Sequence, residues 1–327
     1  MNWWTKFWHP TAGCVKCSPA CDNCWATGFA WRFSHHGNPK ISERFAGVVS
    51  DAHTWTEEIR CNQAELFRPE TWRQPQRVFV SPVGDLALAP AVFVGQVYQA
   101  MAQYHQHTYI VCTKRPGMLL RKLLTAYGIT PGENVLLPGY SIANIWHLTT
   151  VENQEAANQR IPELLAFRRY GHWPVLGISA EPLLGPLDLS PYLSGLDWII
   201  AGGESGPAAR PMHPAWIRGM RDQAQRAGVP FFFKQWGSYL PYRPSMTPRG
   251  AYLIPLDGCL TDDVTLPKRS KLIPHYKFHQ HFAQAGETYP FYFRRLAPES
   301  AGRQLDDRTW EEVPECQSVI PASIWPW

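Results

Sequence analysis

Short apolar, β-rich runs alternate with stretches of helical periodicity along the first 237 residues. Strands are predicted at Phe7-Trp8, Arg77 to Val80, Thr108 to Cys112, Ile145 to Thr149, Val175 to Ser179, Trp198 to Ala201 and Val229 to Phe233. Between them, apolar positions recur every three or four residues over Ala91 to Tyr104, Met118 to Tyr127, Gln154 to Tyr170 and Trp216 to Ala227, the last closed by Gly228. Such alternation implies βαβ units and a parallel sheet, and unbroken apolar runs such as Trp198-Ile199-Ile200 suit strands covered on both faces. Six or seven units fit an α/β fold of the partial (β/α)6–7 TIM-barrel type better than a flat doubly wound sheet.

After Gly237 the periodicity lapses. Residues 238–290 mix Pro, Tyr, Arg and His and read as an insertion or lid; residues 291–327 read as a C-terminal tail packing on the barrel, with order returning near Leu305 to Trp310. In the insertion, Tyr242, Arg243 and Arg249 suit contact with a phosphate and a base, or a solvated loop.

Composition narrows the classes. With 45% hydrophobic and 18% charged residues the chain is globular, and 30 Pro with 24 Gly in 327 residues falls short of low complexity. No apolar run approaches a membrane span, and the N-terminus lacks the charged head and apolar stretch of a secretory signal. The expectation is a soluble cytoplasmic protein without membrane association. A net charge of +4 permits nucleic acid as a partner without demanding it.

Four of the eight cysteines, Cys14, Cys17, Cys21 and Cys24, crowd into eleven residues, while Cys61, Cys112, Cys259 and Cys316 are scattered. In a reducing compartment such crowding argues for a metal centre. Cys17, Cys21 and Cys24 have the spacing CxxxCxxC, followed by Trp25. Three thiolates on one loop can hold three irons of a [4Fe–4S] cluster and leave the fourth iron open. Adding Cys14 supplies four thiolates, enough for a closed zinc or iron–sulfur site, although two CxxC pairs three residues apart are cramped for tetrahedral zinc.

The CxxxCxxC loop with its trailing aromatic resembles the radical SAM superfamily. Over Trp8 to Gly237 and the tail, the chain also resembles a phage-associated radical SAM-like family of unknown function. The matching segments are Trp8 to Cys14, Cys21 to Ala26, Thr113 to Pro116, Val151 to Gln154, Ser179 to Leu184, Gly202 to Gly206 and Phe231 to Gly237. The resemblance implies a [4Fe–4S] cluster whose open iron binds S-adenosylmethionine, and reductive cleavage of that cofactor to a 5′-deoxyadenosyl radical. It implies an electron donor such as flavodoxin or ferredoxin. The phage setting and a distant likeness to spore photoproduct lyase imply isomerisation or rearrangement of a modified thymidine in DNA, or reversal of a DNA lesion. For the first cluster ligand, spacing favours Cys17 and the family pattern favours Cys14.

In parallel βα architectures ligands sit beyond the carboxyl ends of the strands. The expected cofactor-binding residues are therefore Ser81, Asp85, Thr113, Lys114, Arg115, Glu152, Asn153, Gly202 and Gly203, and the expected catalytic residues are Glu181, Glu204 and Lys234. Each has a structural alternative: Asp85 as a helix N-cap, and the carboxylates as ion-pair partners of Arg115 or Arg210. His9, His147 and His213 lack ligand spacing and read as structural. The competing function is a zinc-stabilised nucleic-acid-binding protein that uses its tryptophans as stacking platforms.

Overall fold

The computed structural model describes residues 3–133, 144–247, 250–255, 272–274, 292–295, 302–306 and 308–315. Seven strands, β1 (Lys6–Trp8), β2 (Arg77–Val80), β3 (Thr108–Thr113), β4 (Ile145–Thr150), β5 (Val175–Ala180), β6 (Trp198–Gly202) and β7 (Phe231–Gln235), form one sheet in chain order, and every adjacent pair is parallel. Helices α1 (Trp25–Ser34), α2 (Ala91–Gln103), α3 (Pro116–Ala126), α4 (Gln154–Leu165) and α5 (Pro214–Ala227) occupy the connections. The last strand starts two residues later than its apolar run, because Val229 N donates to Ala224 O to finish α5 and Pro230 has no N–H to give. Helix α3 starts two residues earlier than its periodicity, since Pro116 suits the first helical turn.

Side chains alternate across the sheet. Tyr109, Val111, Ile199, Phe231 and Phe233 join the large core under the helices, whereas Ile110, Trp146, Leu148, Val175, Trp198, Ile200 and Phe232 form a second core on the opposite face. Trp3 fills that second core, its ring 4.8 Å from Phe79 on β2 and 6.2 Å from Trp198 on β6. One side chain bridging strands so far apart in sheet order requires the sheet to curl into a half-barrel. The Lys234 ammonium of β7 lies 5.2 Å from the Trp4 ring, which stacks on Phe7 of β1, so the two edge strands approach each other.

Beyond β7, β8 (Tyr239–Thr247), β9 (Gly250–Pro255), β10 (Leu272–Pro274) and β11 (Tyr292–Arg295) make an antiparallel sheet in the order β9-β8-β11-β10. A later segment runs beside β7: Phe233 N donates to Trp310 O and Phe231 N to Glu312 Oε2, both at 2.9 Å, so donors at this sheet edge are satisfied. Arg249, Cys259 and Cys316 lie outside the described residues, as does the side chain of Arg243. No helix among the described residues is long and apolar enough to cross a membrane.

Two buried histidines make the fold acid-sensitive. His147 packs among Tyr98, Phe167 and Trp173 and shares a 2.7 Å hydrogen bond with the Tyr98 hydroxyl; burial lowers its pKa from 6.5 to about 3. Burial, then the charge of Arg44, lowers that of His9 to about 4. Both stay neutral in the fold, but the unfolded chain protonates them below about 6.5. Their stabilisation is therefore complete above pH 6.5 and is lost as pH falls toward 4 and 3, by up to about 1.4 kcal/mol per histidine per pH unit. Thermal melts are expected to be lower at pH 5 than at pH 7, with a smaller difference in His147→Phe; equal melting temperatures at both pH values would contradict this.

Candidate active site at the carboxyl ends of the strands

The loop after β1 carries the clustered cysteines over the mouth of the half-barrel. Gly13 anchors it, donating from its N–H to Val83 O at 3.1 Å and accepting at its carbonyl from Asp85 N at 3.2 Å. Its φ is +97°, and a Cβ there would lie 2.0 Å from the Glu58 carbonyl oxygen. Both facts require glycine. Gly13→Ala is expected to cost at least about 1–3 kcal/mol from the backbone conformation alone, read by chemical denaturation. An unchanged midpoint would show that this anchor is dispensable.

Two ion-paired braces tie the loop to the strand ends. In the first, Asp85 caps the short turn that follows by accepting from Ala87 N, and it also accepts from Thr113 Oγ1 at 2.7 Å and Arg115 Nη1 at 2.8 Å. Arg115 then donates from Nη2 to the Val15 carbonyl of the cysteine loop. In the second, buried Glu204, just past β6, accepts from Arg210 through Nε at 2.8 Å and Nη2 at 2.6 Å, and from Asn23 Nδ2 at 3.1 Å. Arg210 Nη2 also donates to the Pro19 carbonyl at 3.0 Å. Asn23 sits between Cys21 and Cys24, so this brace grips the loop at its last two cysteines.

Cys14, Cys21 and Cys24 line one cavity of about 150 Å³, together with Ser81, Asp85, Thr113, Lys114, Arg115, Thr150, Ser179, Glu181 and Lys234. Cys17 is exposed and does not line it. Burial, then the charge of Asp85, pushes the Cys14 thiol up to about 12. The neighbouring Cys17 and Cys21 thiols act on each other, holding Cys21 well below the usual thiol range and raising Cys17. Burial works against charge on Lys114, but the negative potential of Cys21, Glu152 and Cys24 outweighs it and raises its pKa. A cation thus stands beside the thiols.

A second cavity of about 300 Å³ adjoins the first, sharing Trp4, Cys24, Trp25, Lys114, Glu181 and Lys234 with it. Lys234 Nζ pairs with Glu181 Oε1 at 2.9 Å on this shared border, and Ser179 Oγ donates to Glu181 Oε2 at 3.2 Å. Among the described residues, no three His, Cys, Asp or Glu side chains converge around a point suited to a single ion.

Several of the residues expected at the site serve the fold, some in addition to lining a cavity and some instead of it. Asn153 caps α4, its Oδ1 accepting from Ala156 N at 2.9 Å, and lines neither cavity. Glu152 is buried beneath the mouth, with Oε2 accepting from Arg160 Nη1 at 2.8 Å and Oε1 without a hydrogen-bond partner among the described residues. The glycines after β6 serve the chain's own packing: a Cβ on Gly203 would lie 2.0 Å from the Trp236 carbonyl oxygen, and one on Gly202 3.1 Å from Glu181 Oε1. Gly203 and Glu204 nevertheless line the second cavity, and the Glu204 carboxylate is held in the brace, which makes it a positioning residue. Arg115 and Lys234 do reach the same cavity, but each is already paired with a carboxylate. Sequence reasoning missed Thr150, Ser179, Asn23 and the lining role of Trp4. Thr150 and Ser179 are the small polar ends of apolar strands and were within reach of the strand-end rule; nothing local marks Asn23.

Fold and site together define an α/β protein with a curled parallel sheet and a three-thiol cavity at its mouth. The chain belongs to the family described as "Protein of unknown function (DUF5131)", whose profile matches residues 1–314. No curated protein and no solved structure matches it.

Proposed function

We propose that this protein is a radical SAM enzyme in which Cys14, Cys21 and Cys24 hold a [4Fe–4S] cluster and residues at the strand ends bind S-adenosylmethionine. The observation that carries this reading is that three cysteines of one loop, and not the fourth, line a single cavity with hydroxyls, carboxylates and cations at its wall. Three thiolates leave one cluster iron without a protein ligand, and Lys114 and Arg115 in the same wall offset the negative charge the site would gather. Held by these thiolates, such a cluster would supply the one-electron reduction of S-adenosylmethionine that radical chemistry needs. Ser81, Thr113, Thr150 and Ser179 offer the cofactor polar groups, and Glu181 and Lys234, bordering both cavities, bind substrate and hold a proton at Nζ.

On this reading the curled sheet is a partial TIM-type barrel, open between β1 and β7, and residues 238–290 act as a lid. The lid reading rests on β8 following directly from the strand whose end lines both cavities. The substrate class we propose, a modified thymine in DNA, and a flavodoxin or ferredoxin reductant rest on the resemblance to the phage-associated family. The zinc alternative needs all four sulfurs on one ion, and the exposure of Cys17 outside the cavity favours the cluster. Anaerobic reconstitution followed by metal analysis tests the proposal. About four irons per chain with broad absorption near 400 nm are expected; stoichiometric zinc with no retained iron would overturn it.

A further inference from the structure

The second cavity has two unlike walls. Two aromatic pairs, Trp4 with Phe7 and Trp25 with Phe29, line it with apolar surface, and Ser205 and Gln235 supply polar groups that belong to this cavity and not to the first. Trp4 is a fixed wall, its ring stacked on Phe7 at 5.4 Å with the Lys234 ammonium nearby. Trp25 differs. It is 47% exposed, lines the cavity, and meets Phe29 at 87° between rings and 5.2 Å between centroids, so much of the indole is left uncovered by the fold. An indole this exposed at the rim of a cavity open to solvent is a ready stacking platform.

The polar side is oriented as well. Gln235 Nε2 donates to Ser205 Oγ at 2.9 Å, which fixes the plane of the carboxamide and leaves a second N–H and the carbonyl to offer a ligand. A donor and an acceptor side by side match the imide edge of a pyrimidine, as they match the edge of adenine. A volume of about 300 Å³ is at the small end for ligand sites, suiting one planar ring and not an extended chain.

We propose that this cavity is the substrate chamber and that it takes a single pyrimidine base turned out of its strand, stacked on Trp25 and read at its edge by Gln235. This deepens the proposed function and rests on it for the chemistry that follows binding. The shared border places such a base against Glu181 and Lys234 and beside Cys24, within reach of the first cavity. Enzymes that act on a base commonly extrude it in this way.

The test uses fluorescence anisotropy with the full chain and a labelled single-stranded oligonucleotide bearing one central thymine in an otherwise abasic stretch, compared with the fully abasic version. The wild type is expected to bind the thymine probe at least about tenfold more tightly. Trp25→Ala and Gln235→Ala should each remove that preference, and Trp25→Phe should restore most of it, since phenylalanine keeps a stacking face. Equal binding of both probes by the wild type would overturn the assignment. So would a thymine preference that survives both alanine variants, or loss of S-adenosylmethionine binding in Trp25→Ala with the preference intact, which would give the ring to the cofactor's adenine. Because binding is read without turnover, this result is independent of iron content: a wild type that prefers thymine but retains no iron would defeat the radical chemistry and leave the chamber standing.

Discussion

Cys14→Ala is expected to strip the reconstituted protein of most of its iron, whereas Cys17→Ala retains it. The spacing CxxxCxxC by itself points to the opposite ranking, with Cys17 as first ligand. Geometry decides between them: Cys14 follows Gly13, which is pinned by hydrogen bonds to Val83 and Asp85, and its side chain lines the cavity with Cys21 and Cys24. Cys17 is exposed and does not line the cavity. Removing one of three thiolates leaves two, too few to hold a site-differentiated cubane, so Cys21→Ala and Cys24→Ala should match Cys14→Ala. Iron quantified per folded chain checks this, and full iron in Cys14→Ala with loss in Cys17→Ala would return the role to Cys17.

The second large effect falls on a residue that touches no ligand in this account. Arg210→Ala is expected to destabilise the protein by about 3–5 kcal/mol, the cost of leaving a buried carboxylate without its partner. Glu204 has a side chain only 4% exposed, and Arg210 supplies three of its hydrogen bonds, two from the guanidinium and one from the backbone N–H. The same guanidinium holds the Pro19 carbonyl, so the segment from Cys21 to Cys24 should loosen and iron retention should fall with stability. Glu204→Gln, which keeps the shape and removes the stranded charge, is expected to be milder. A denaturation midpoint for Arg210→Ala equal to wild type would show that the brace carries little.

The sheet was legible because buried parallel strands leave short, unbroken apolar runs, and six of the seven run within one residue of their expected bounds. β7 shifted only because Gly228 and Val229 complete a helix cap, a backbone requirement that outranks two apolar side chains. The mouth was legible by position and less so by role. Lys114, Glu181 and Lys234 line the cavities; Asp85 and Glu204 line them too but are committed to a cap and to braces, and Asn153 caps a helix away from both. A carboxylate after a strand looks the same in sequence whether it awaits a ligand or an arginine. The arginine is near in sequence, Arg115 thirty positions from Asp85 and Arg210 six from Glu204, but the contacts that turn these pairs into braces are remote: Asn23 meets Glu204 across 181 positions, and Arg115 meets Val15 across 100. The glycines after β6 mislead for a related reason, since close backbone approach to Trp236 demands the same residue as close approach to a phosphate.

One measurement bears most directly on the radical SAM reading: 5′-deoxyadenosine released when the anaerobically reconstituted protein is reduced with dithionite in the presence of S-adenosylmethionine. The account predicts release from the wild type and none from Cys24→Ala assayed alongside. A wild-type protein with its full complement of iron that binds S-adenosylmethionine and releases no 5′-deoxyadenosine would contradict it.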